Sequence, residues 1–322
     1  MLVDAGQSQD EHCLSVNLPA TIGVPRAMQS GAMANWLDHR RLHLQHGPID
    51  LLITAEGAPE ALAKAYSAAA DAFADVLQML VAELGDLRRP AQRPMHRFEG
   101  PVSRAMAAAI DPYVASFHGE HYVTPMIAVA GSVADHLLSV MGGGLERAFV
   151  NNGGDIALYL GSAQSAEIGI ADDRNVVFSD VMLSQQAKRG GKMPLEGRIR
   201  LAHGDGVGGI ATSGWRGRSL SFGIADSVTV LASNAAAADV AATMIANAVT
   251  TESEAIKRAP ANSIDDDSDL GERLVTVAVG TLGQDEIVEA LNHGRALALQ
   301  LHKDDLIIAA YGRLGGLGFV VG

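Results

Sequence analysis

The chain has 322 residues, a formal net charge of −13, 48% hydrophobic residues and 19% charged residues. An acidic balance of this size excludes a protein that grips a nucleic-acid backbone through a broad basic face. The hydrophobic share is enough to bury a sizeable core, and no run of about 18 apolar residues is present that would span a membrane. The single cysteine, Cys13, excludes an intramolecular disulfide and a cysteine-rich metal site.

The N-terminal residues differ in pattern from the rest of the chain. Residues 1–34 show no clean hydrophobic period and are predicted to form a poorly ordered leader or arm. Acidic residues stand where a secretory signal would carry Lys or Arg, and an apolar core segment is missing, so we expect a cytoplasmic protein. The length favours one elaborated domain or two closely joined ones, and we predict a single domain over residues 35–322.

The first half of that domain predicts a hairpin followed by helices. Residues 40–57 alternate apolar and other side chains on either side of a Gly-Pro turn, as a β-hairpin does. Residues 59–84 carry apolar side chains at helical spacing, and two further helices are predicted near 101–117 and 125–141.

The second half is rich in strand-like runs, interrupted by two helices. Consecutive strands with long helices between them predict an α+β fold, in which helices pack on mainly antiparallel sheets. The predicted strands are RAFV, IALYL and AEIGIA around 147–171, then GRIRLA, SLSFGI and SVTVLA around 197–232, and finally RLVTVAV, DLIIAAYG and LGFVV; the predicted helices are 235–249 and 284–301.

The helix AAAADVAATMIANAV, residues 235–249, carries a polar stripe among small and apolar residues. Asp239, Thr243 and Asn247 are spaced by four, which places them on one helical face. A solvated face is the alternative, but such faces usually carry Lys, Glu, Arg or Gln. Short oxygen ligands on a close-packed surface suit a hard cation such as Mg²⁺. The stripe is therefore a candidate metal site.

A glycine turn in VNNGGDIALYLG is a second candidate. Asn152 is followed there by Gly153 and Gly154, and paired glycines allow positive φ and close approach of the backbone to a ligand. Glycine pairs also make ordinary hairpin turns, and that alternative stays open. Asp155 comes next, with apolar strand neighbours, and is a candidate functional acid.

A third candidate is the glycine-rich segment GGIATSGWRGRSLSFGIADSVTVLA, residues 208–232. Thr212 and Ser213 supply hydroxyls beside bare glycine amides, and Arg216 and Arg218 supply cations, a combination that suits phosphate recognition. The alternative is an irregular strand with surface arginines. The letters GDGVGG just upstream match a dinucleotide-binding motif, but a strand-like run follows them instead of a helix, so that interpretation fails.

Taken together, these motifs resemble the ApbE superfamily, which includes flavin transferases that move FMN from FAD onto a Thr or Ser of a target protein. The strand GIATSG, then SVTV, then a helix reading Ala-Asp-x-x-Ala-Thr resemble the carboxy-terminal signature of the superfamily. VNNGGDI resembles its Asn-x-Gly-Gly-(Asp/Asn)-Ile turn, and AVAGSVAD lies where it has Gly-Gly-Ile-Ala-Lys-Gly. RLHLQHGPIDLLI, GIATSGWRGRS and GIADSVTVLA extend the likeness to an uncharacterised cytoplasmic branch.

The resemblance implies an ApbE-like fold related to the T-fold, and a metal site for Mg²⁺. Asp239, Thr243 and the backbone carbonyl near Ala130 would be the ligands. Relatives with the T-fold often assemble through their sheets, so a homodimer is expected.

The resemblance also implies a cleft for FAD or another nucleotide. The turn from Asn152 to Gly154 and the pair Thr212–Ser213 would line this cleft, with Arg216 or Arg218 steadying phosphate. Asp155 or Asp226 would act as base for the hydroxyl of an acceptor protein.

Two departures from the transferases bear on the activity. The Lys of Gly-Gly-Ile-Ala-Lys-Gly is replaced by Gly131, and a His-x-x-Asp-Pro-x-Thr-Gly motif before SVTV is missing, with only RGRSLSFGIAD in that interval. The leading interpretation is a Mg²⁺-dependent protein that binds a flavin or other nucleotide, with flavin transfer as a candidate activity that the two departures count against. The alternatives are a non-catalytic module that binds a nucleotide or a partner, and a hydrolase or transferase for another small molecule.

Overall fold

The computed structural model describes residues 31–116, 122–170, 197–217 and 219–322, together with the backbone of Leu2–Asp4. Within them the α+β prediction is confirmed: a large antiparallel sheet is packed with helices. Leu2–Asp4 pairs as a strand with a later segment, and nearly all of the predicted leader lies outside the described residues.

The described strands fall into a large sheet and two small ones. The large sheet has the order β14-β13-β10-β9-β6-β5-β4-β3-β2, and all its neighbouring pairs are antiparallel. The small sheets are β1-β7-β8 and β11-β12. The strands are β1 (Leu2–Asp4), β2 (Met33–Trp36), β3 (Arg41–His46), β4 (Ile49–Gly57), β5 (Leu145–Asn152), β6 (Asp155–Leu160), β7 (Ser165–Ile170), β8 (Gly197–Ala202), β9 (Gly209–Ser213), β10 (Ser227–Ala232), β11 (Ile256–Pro260), β12 (Leu274–Val279), β13 (Ala309–Leu314) and β14 (Leu317–Val321).

The helices form a layer on one face of the large sheet. They are α1 (Pro59–Ala82), α2 (Leu84–Leu87), α3 (Pro101–Ser116), α4 (Val129–Val140), α5 (Ala235–Ala248) and α6 (Gln284–Lys303), with 3₁₀ turns at Pro125–Ala128 and Ala261–Ser263. None of these described helices has the length and apolar character needed to cross a lipid bilayer.

Strand alternation explains how the large sheet acquires two cores. Leu42, Leu44, Leu51 and Ile53 point to the helices and are at most 3% exposed, which confirms the predicted hairpin. On the opposite face, side chains of β5, β6 and β9 pack against the small sheet β1-β7-β8. The buried members of this second core are Phe149, Ile156, Leu158, Leu160, Ala166, Ile168, Leu201 and Ile210.

Helix α5 lies unusually close to its neighbours because glycines face its backbone. A Cβ built on Gly131 of α4, on Gly209 of β9 or on Gly223 would overlap backbone atoms of residues 234–236 or of Ala246. The alanines of α5 are themselves almost fully buried. Small residues on both sides of the contact therefore determine how closely α5 packs against its neighbours.

The predicted strand SLSFGI is wrong. This segment forms bends, because its polar groups bond to the end of α5 instead of to a strand: the Ser221 hydroxyl and the Phe222 amide both donate to Asn247 Oδ1 at 2.9 Å. A strand that the sequence analysis did not identify, β11, pairs with β12 as a separate hairpin beyond α5.

Replacing Gly209 with Ala should destabilise the fold by about 3 kcal/mol, since overpacking against atoms that cannot move aside costs about 1–3 kcal/mol or more. Urea unfolding followed by far-UV circular dichroism measures the change. Gly85→Ala is the matched control: a Cβ there meets nothing within 4 Å, so stability should change by less than about 1 kcal/mol. Equal stabilities of the two variants would contradict the close seating of α5.

Candidate functional site

Asp239 of α5 reaches across to the first turn of α4. Its Oδ2 accepts a hydrogen bond from the Gly131 amide at 3.0 Å, and the Ala130 amide also donates to this carboxylate. The residue before α4, Ala128, has no side chain that could cap these amides. Asp239, which is 9% exposed, therefore caps α4 from a neighbouring helix.

The capping is reciprocal, because α4 returns a carboxylate to α5. Asp135 accepts hydrogen bonds from the amides of Ala235 and Ala236 at 2.9 and 2.8 Å. Asn234, the residue before α5, accepts from the Ala237 amide at 2.8 Å, as its sequence position predicts. The two helices are thus fixed to one another at their N-termini.

The sequence analysis missed the role of Asp135. One sequence feature could have indicated it: the first turn of α5 contains no acid, and Asn234 accepts a hydrogen bond from only one of the free amides of that turn. A buried helix end needs partners for the others. The acid that closes AVAGSVAD was a candidate, but only the tertiary packing of α4 on α5 identifies it.

Burial makes the charged form of Asp239 unfavourable. The pKa of Asp239 is raised well above its usual value, first because of burial and then because the Asp155 carboxylate lies nearby. Hydrogen bonds from the amides of Gly131 and Ala130 lower it only in part. Burial likewise raises the pKa of Asp135. The site therefore concentrates acids where solvent does not screen them.

The predicted glycine turn connects β5 to β6 beside these acids. Gly153 and Gly154 have φ of 66° and 120°, so the turn does need the conformational freedom of glycine. Asn151 accepts a hydrogen bond from the Gly154 amide at 2.9 Å. Asn152 is 5% exposed and donates from Nδ2 to the Ala130 carbonyl at 3.1 Å. It therefore orients the predicted backbone ligand of the metal.

Asp155 connects the turn to β9, since its Oδ1 accepts a hydrogen bond from the Thr212 amide at 3.3 Å. The Thr212 hydroxyl, however, bonds to that of Thr229 at 2.9 Å, on the face that also carries Ile210 of the second core. It points away from the α5 carboxylate. Ser213 has the opposite orientation by strand alternation and faces the helices.

Asp226 and Arg216 have other described partners. Asp226 accepts a hydrogen bond from the Gly315 amide at 2.7 Å in the β13–β14 turn, and β13 lies on the other side of β10 from β9. Arg216 is exposed and lies 5.0 Å over the Trp215 ring. Arg218 lies outside the described residues. The structure therefore brings Asp239 to the backbone of Ala130 and Gly131 and gives Asp226 a structural partner elsewhere.

Thr243 is half-buried and lies one turn after Asp239 on α5. The site then offers a hydroxyl, the Ala130 carbonyl and the carboxylates of Asp155 and Asp239, all hard oxygen donors of the kind that Mg²⁺ binds. Among the described residues, no group of three or more His, Cys, Asp or Glu is placed to hold a metal. A cation here would use few protein ligands, as Mg²⁺ commonly does.

The contact between α4 and α5 accounts for one departure from the ApbE pattern. A Cβ on Gly131 would overlap the Ala235 carbonyl, so no side chain fits at this position. A lysine there is incompatible with the observed packing of the two helices.

Raising the pH should destabilise the wild-type protein relative to Asp239→Asn. Since the folded pKa of Asp239 lies above its ordinary value of 3.8, the folded state binds more protons than the unfolded state between these two values. The penalty is absent below the ordinary pKa and grows as pH rises through the folded pKa. Urea unfolding in EDTA, from about pH 4 to about pH 8, gives the dependence of stability on pH for each protein. The difference between the two dependences cancels the contribution of the acids that both proteins share. Parallel curves would contradict the burial effect.

Comparisons with known proteins identify relatives of this chain. A family model described as AbpE bacteria matches residues 34–318. A UPF0280 protein of Methanoculleus marisnigri is 37% identical over 160 residues, which cover 48% of this chain and 54% of the relative. One from Methanothermobacter thermautotrophicus is 38% identical over 128 residues, covering 39% and 42%. A UPF0280 protein of Methanopyrus kandleri is 30% identical over 213 residues, covering 64% and 76%.

The chain spans about half the length of the first two of these relatives and about three quarters of the third. The family model covers more than half of the chain, from the β2 edge of the large sheet to the last strand. The chain therefore belongs to the family described as AbpE bacteria and is a relative of the UPF0280 proteins.

Proposed function

We propose that this chain binds Mg²⁺ through Asp239, Thr243 and the Ala130 carbonyl, and that the metal serves a bound flavin or other nucleotide. The observation that carries the proposal is the environment of Asp239. Its described hydrogen-bond partners are backbone amides. After burial, the largest cause that raises its pKa is the charge of a second carboxylate, Asp155. A divalent cation would offset both the burial and the repulsion of these acids.

The donor set fits this assignment. Asp239 Oδ2 accepts a hydrogen bond from the Gly131 amide, and the carboxylate retains lone pairs for a metal. The Ala130 carbonyl lies within α4 and also accepts from Asn152 Nδ2, so a metal would replace one of its two hydrogen bonds. Asn152 donates to this carbonyl through Nδ2, in addition to its proposed place in the lining of the nucleotide cleft. The glycine turn and Ser213 border the same end of the sheet and support a nucleotide as the ligand.

The resemblance to ApbE transferases favours FAD as this nucleotide and flavin transfer as the reaction. Bound Mg²⁺ would supply Lewis-acid stabilisation of charge on a diphosphate. Asp155 is the preferred base for an acceptor hydroxyl, because its charge acts directly on the proposed ligand Asp239, whereas Asp226 bonds to the β13–β14 turn. The relation to the T-fold, the cytoplasmic location and a homodimer belong to the same proposal.

A non-catalytic nucleotide-binding module is the second candidate, and one observation favours it. In the interval that replaces the His-x-x-Asp-Pro motif, three described groups are committed to the fold: Ser221 and Phe222 bond to Asn247, and Asp226 bonds to Gly315. Metal and nucleotide binding would survive this replacement, whereas proton transfer would depend on Asp155 alone.

Asp239→Asn should weaken Mg²⁺ binding by at least about 100-fold, because even partners outside the metal sphere contribute about 10–100-fold in affinity. Thr243→Val should weaken it as well, since valine keeps the shape and loses the hydroxyl, and Thr243→Ser should restore it. Isothermal titration calorimetry with Mg²⁺ alone measures all three variants.

Asp266→Asn removes the same charge from an exposed turn. It is the control for the effect of net charge on Mg²⁺ binding. It should leave Mg²⁺ affinity unchanged. Wild-type affinity in Asp239→Asn would show that the metal is bound elsewhere, and equal affinities of Thr243→Val and wild type would remove Thr243 from the ligand set.

Flavin transfer should appear as an added FMN mass on an acceptor protein after incubation with FAD and Mg²⁺. Asp155→Asn should reduce the rate of this addition while leaving Mg²⁺ affinity within about tenfold of wild type, because loss of general acid–base catalysis costs about 10²–10⁴-fold in rate. Nucleotide binding without an added mass on any acceptor would favour the non-catalytic module.

A further inference from the structure

A cavity of about 500 Å³ lies between α3, α4 and the N-terminal end of α5. Its volume falls within the range of about 300–1,000 Å³ that small-molecule pockets occupy. Alanines of α3 and α5 form most of its wall, and Asp135 is the one acid among the described residues that line it. The proposed metal ligands Asp239 and Thr243 do not line this cavity, so it is a separate site.

The helix N-terminus at this cavity has no amide left for an anion. The first two amides of α5 donate to the Asp135 carboxylate at 2.9 and 2.8 Å. The third donates to Asn234 Oδ1 at 2.8 Å, and the fourth donates to the Asn234 carbonyl at 3.2 Å. The attraction of a helix N-terminus for anions is therefore already used within the protein, and Asp135 would repel a further negative charge.

Asp135 keeps capacity to accept further hydrogen bonds in the cavity. Each of its two oxygens accepts one amide of α5, whereas a carboxylate offers about four lone-pair sites in all. Burial raises the pKa of Asp135, because the charged form is unfavourable away from water. The described lining includes no Lys, Arg or His that would offset this charge. A cation that enters the cavity would offset it.

A proline inside α3 adds to the acceptors at the cavity. Pro112 has no amide N–H, so it cannot donate to the Ala108 carbonyl, which is the regular partner four residues earlier in a helix. Both residues line the cavity. The last turn of α3 contains no basic residue, so the helix does not neutralise its own negative C-terminal end. The α3 wall therefore also favours a positively charged donor.

We propose that this cavity binds a small organic amine, with its ammonium group paired to Asp135 and its apolar body against the alanines of α3 and α5. The inference is independent of the proposed metal and nucleotide function. An ammonium group carries three donors and no acceptor, which matches the acceptors that Asp135 and the Ala108 carbonyl offer. An inorganic cation would need several oxygen ligands and would gain nothing from apolar walls.

Three probes separate the contribution of charge from that of the apolar body. 2-Phenylethylamine and 2-phenylethanol share the same ring and chain, and they differ in carrying an ammonium or a hydroxyl group. NMR titration that follows the probe signals should show the amine binding at least about tenfold more tightly, because charge-assisted hydrogen bonds are about twice as strong as neutral ones. Methylamine, which lacks the ring, should bind at least about tenfold more weakly than 2-phenylethylamine, since it buries little apolar area.

Substitutions locate the amine in the cavity. Ala109→Leu fills the cavity from a half-buried position of α3, keeps a good helix former there and should abolish binding. Ala296→Leu makes the same change at an exposed position of α6, so its affinity should match wild type. Asp135→Asn should bind the amine and the alcohol equally. Because Asp135 also caps α5, Ala109→Leu tests the site even where Asp135→Asn fails to fold.

Four outcomes would overturn the inference. The first is the absence of saturable binding of 2-phenylethylamine to the wild-type protein, and the second is equal affinity of this protein for the amine and the alcohol. Wild-type affinity in Ala109→Leu would place the amine outside the cavity. Displacement of the amine by Mg²⁺ would place its ammonium group at the acids around Asp239. Each of these results would leave the proposed Mg²⁺ and nucleotide binding standing.

Discussion

The exchange of carboxylates between α4 and α5 is the interaction on which the rest of the site depends. Asp239 caps α4 and Asp135 caps α5, so neither helix end is complete without the other. Two hydrogen-bonded caps fix both distance and rotation, which a contact between alanines alone would leave free to slide. Gly131 lets the helices approach closely enough for the carboxylates to reach. The sheet then positions the glycine turn and β9 against this helix pair.

The same exchange explains how acids are tolerated in an apolar layer. A helix N-terminus carries partial positive charge, and each acid is placed at one. That stabilisation is incomplete at Asp239, where burial and the Asp155 carboxylate keep the pKa raised. A purely structural cap would be served as well by Asn or Ser, which carry no charge to bury. An Asp at this position beside a second Asp is better explained by a ligand that favours negative charge, and a hard cation has this property.

Much of the fold was predictable from local pattern, whereas the contacts of the site residues were not. The hairpin β3–β4 and the helices α1 and α5 follow from periods of two and of 3.6 residues, which the sequence displays directly. Spacing by four also selected Asp239, Thr243 and Asn247. It could not show that Asn247 holds the Ser221 segment or that Asp239 caps another helix, since both partners are distant in sequence. The false strand SLSFGI failed for the same reason: its alternation was real, but a side-chain amide supplied its hydrogen bonds.

The two sides of α5 differ in how many of their hydrogen-bonding groups the fold already uses. On the α4–α5 side, the Asp239 carboxylate keeps lone pairs that its two backbone amide donors do not use, and it remains suited to a cation. Groups between β9 and β10 are tied down: Asn247 accepts two hydrogen bonds from the bend, and Asp226 accepts one from the β13–β14 turn. These bonds hold the interval between β9 and β10 as a fixed wall, so under the proposed function the metal is served from the α4–α5 side and not from this one.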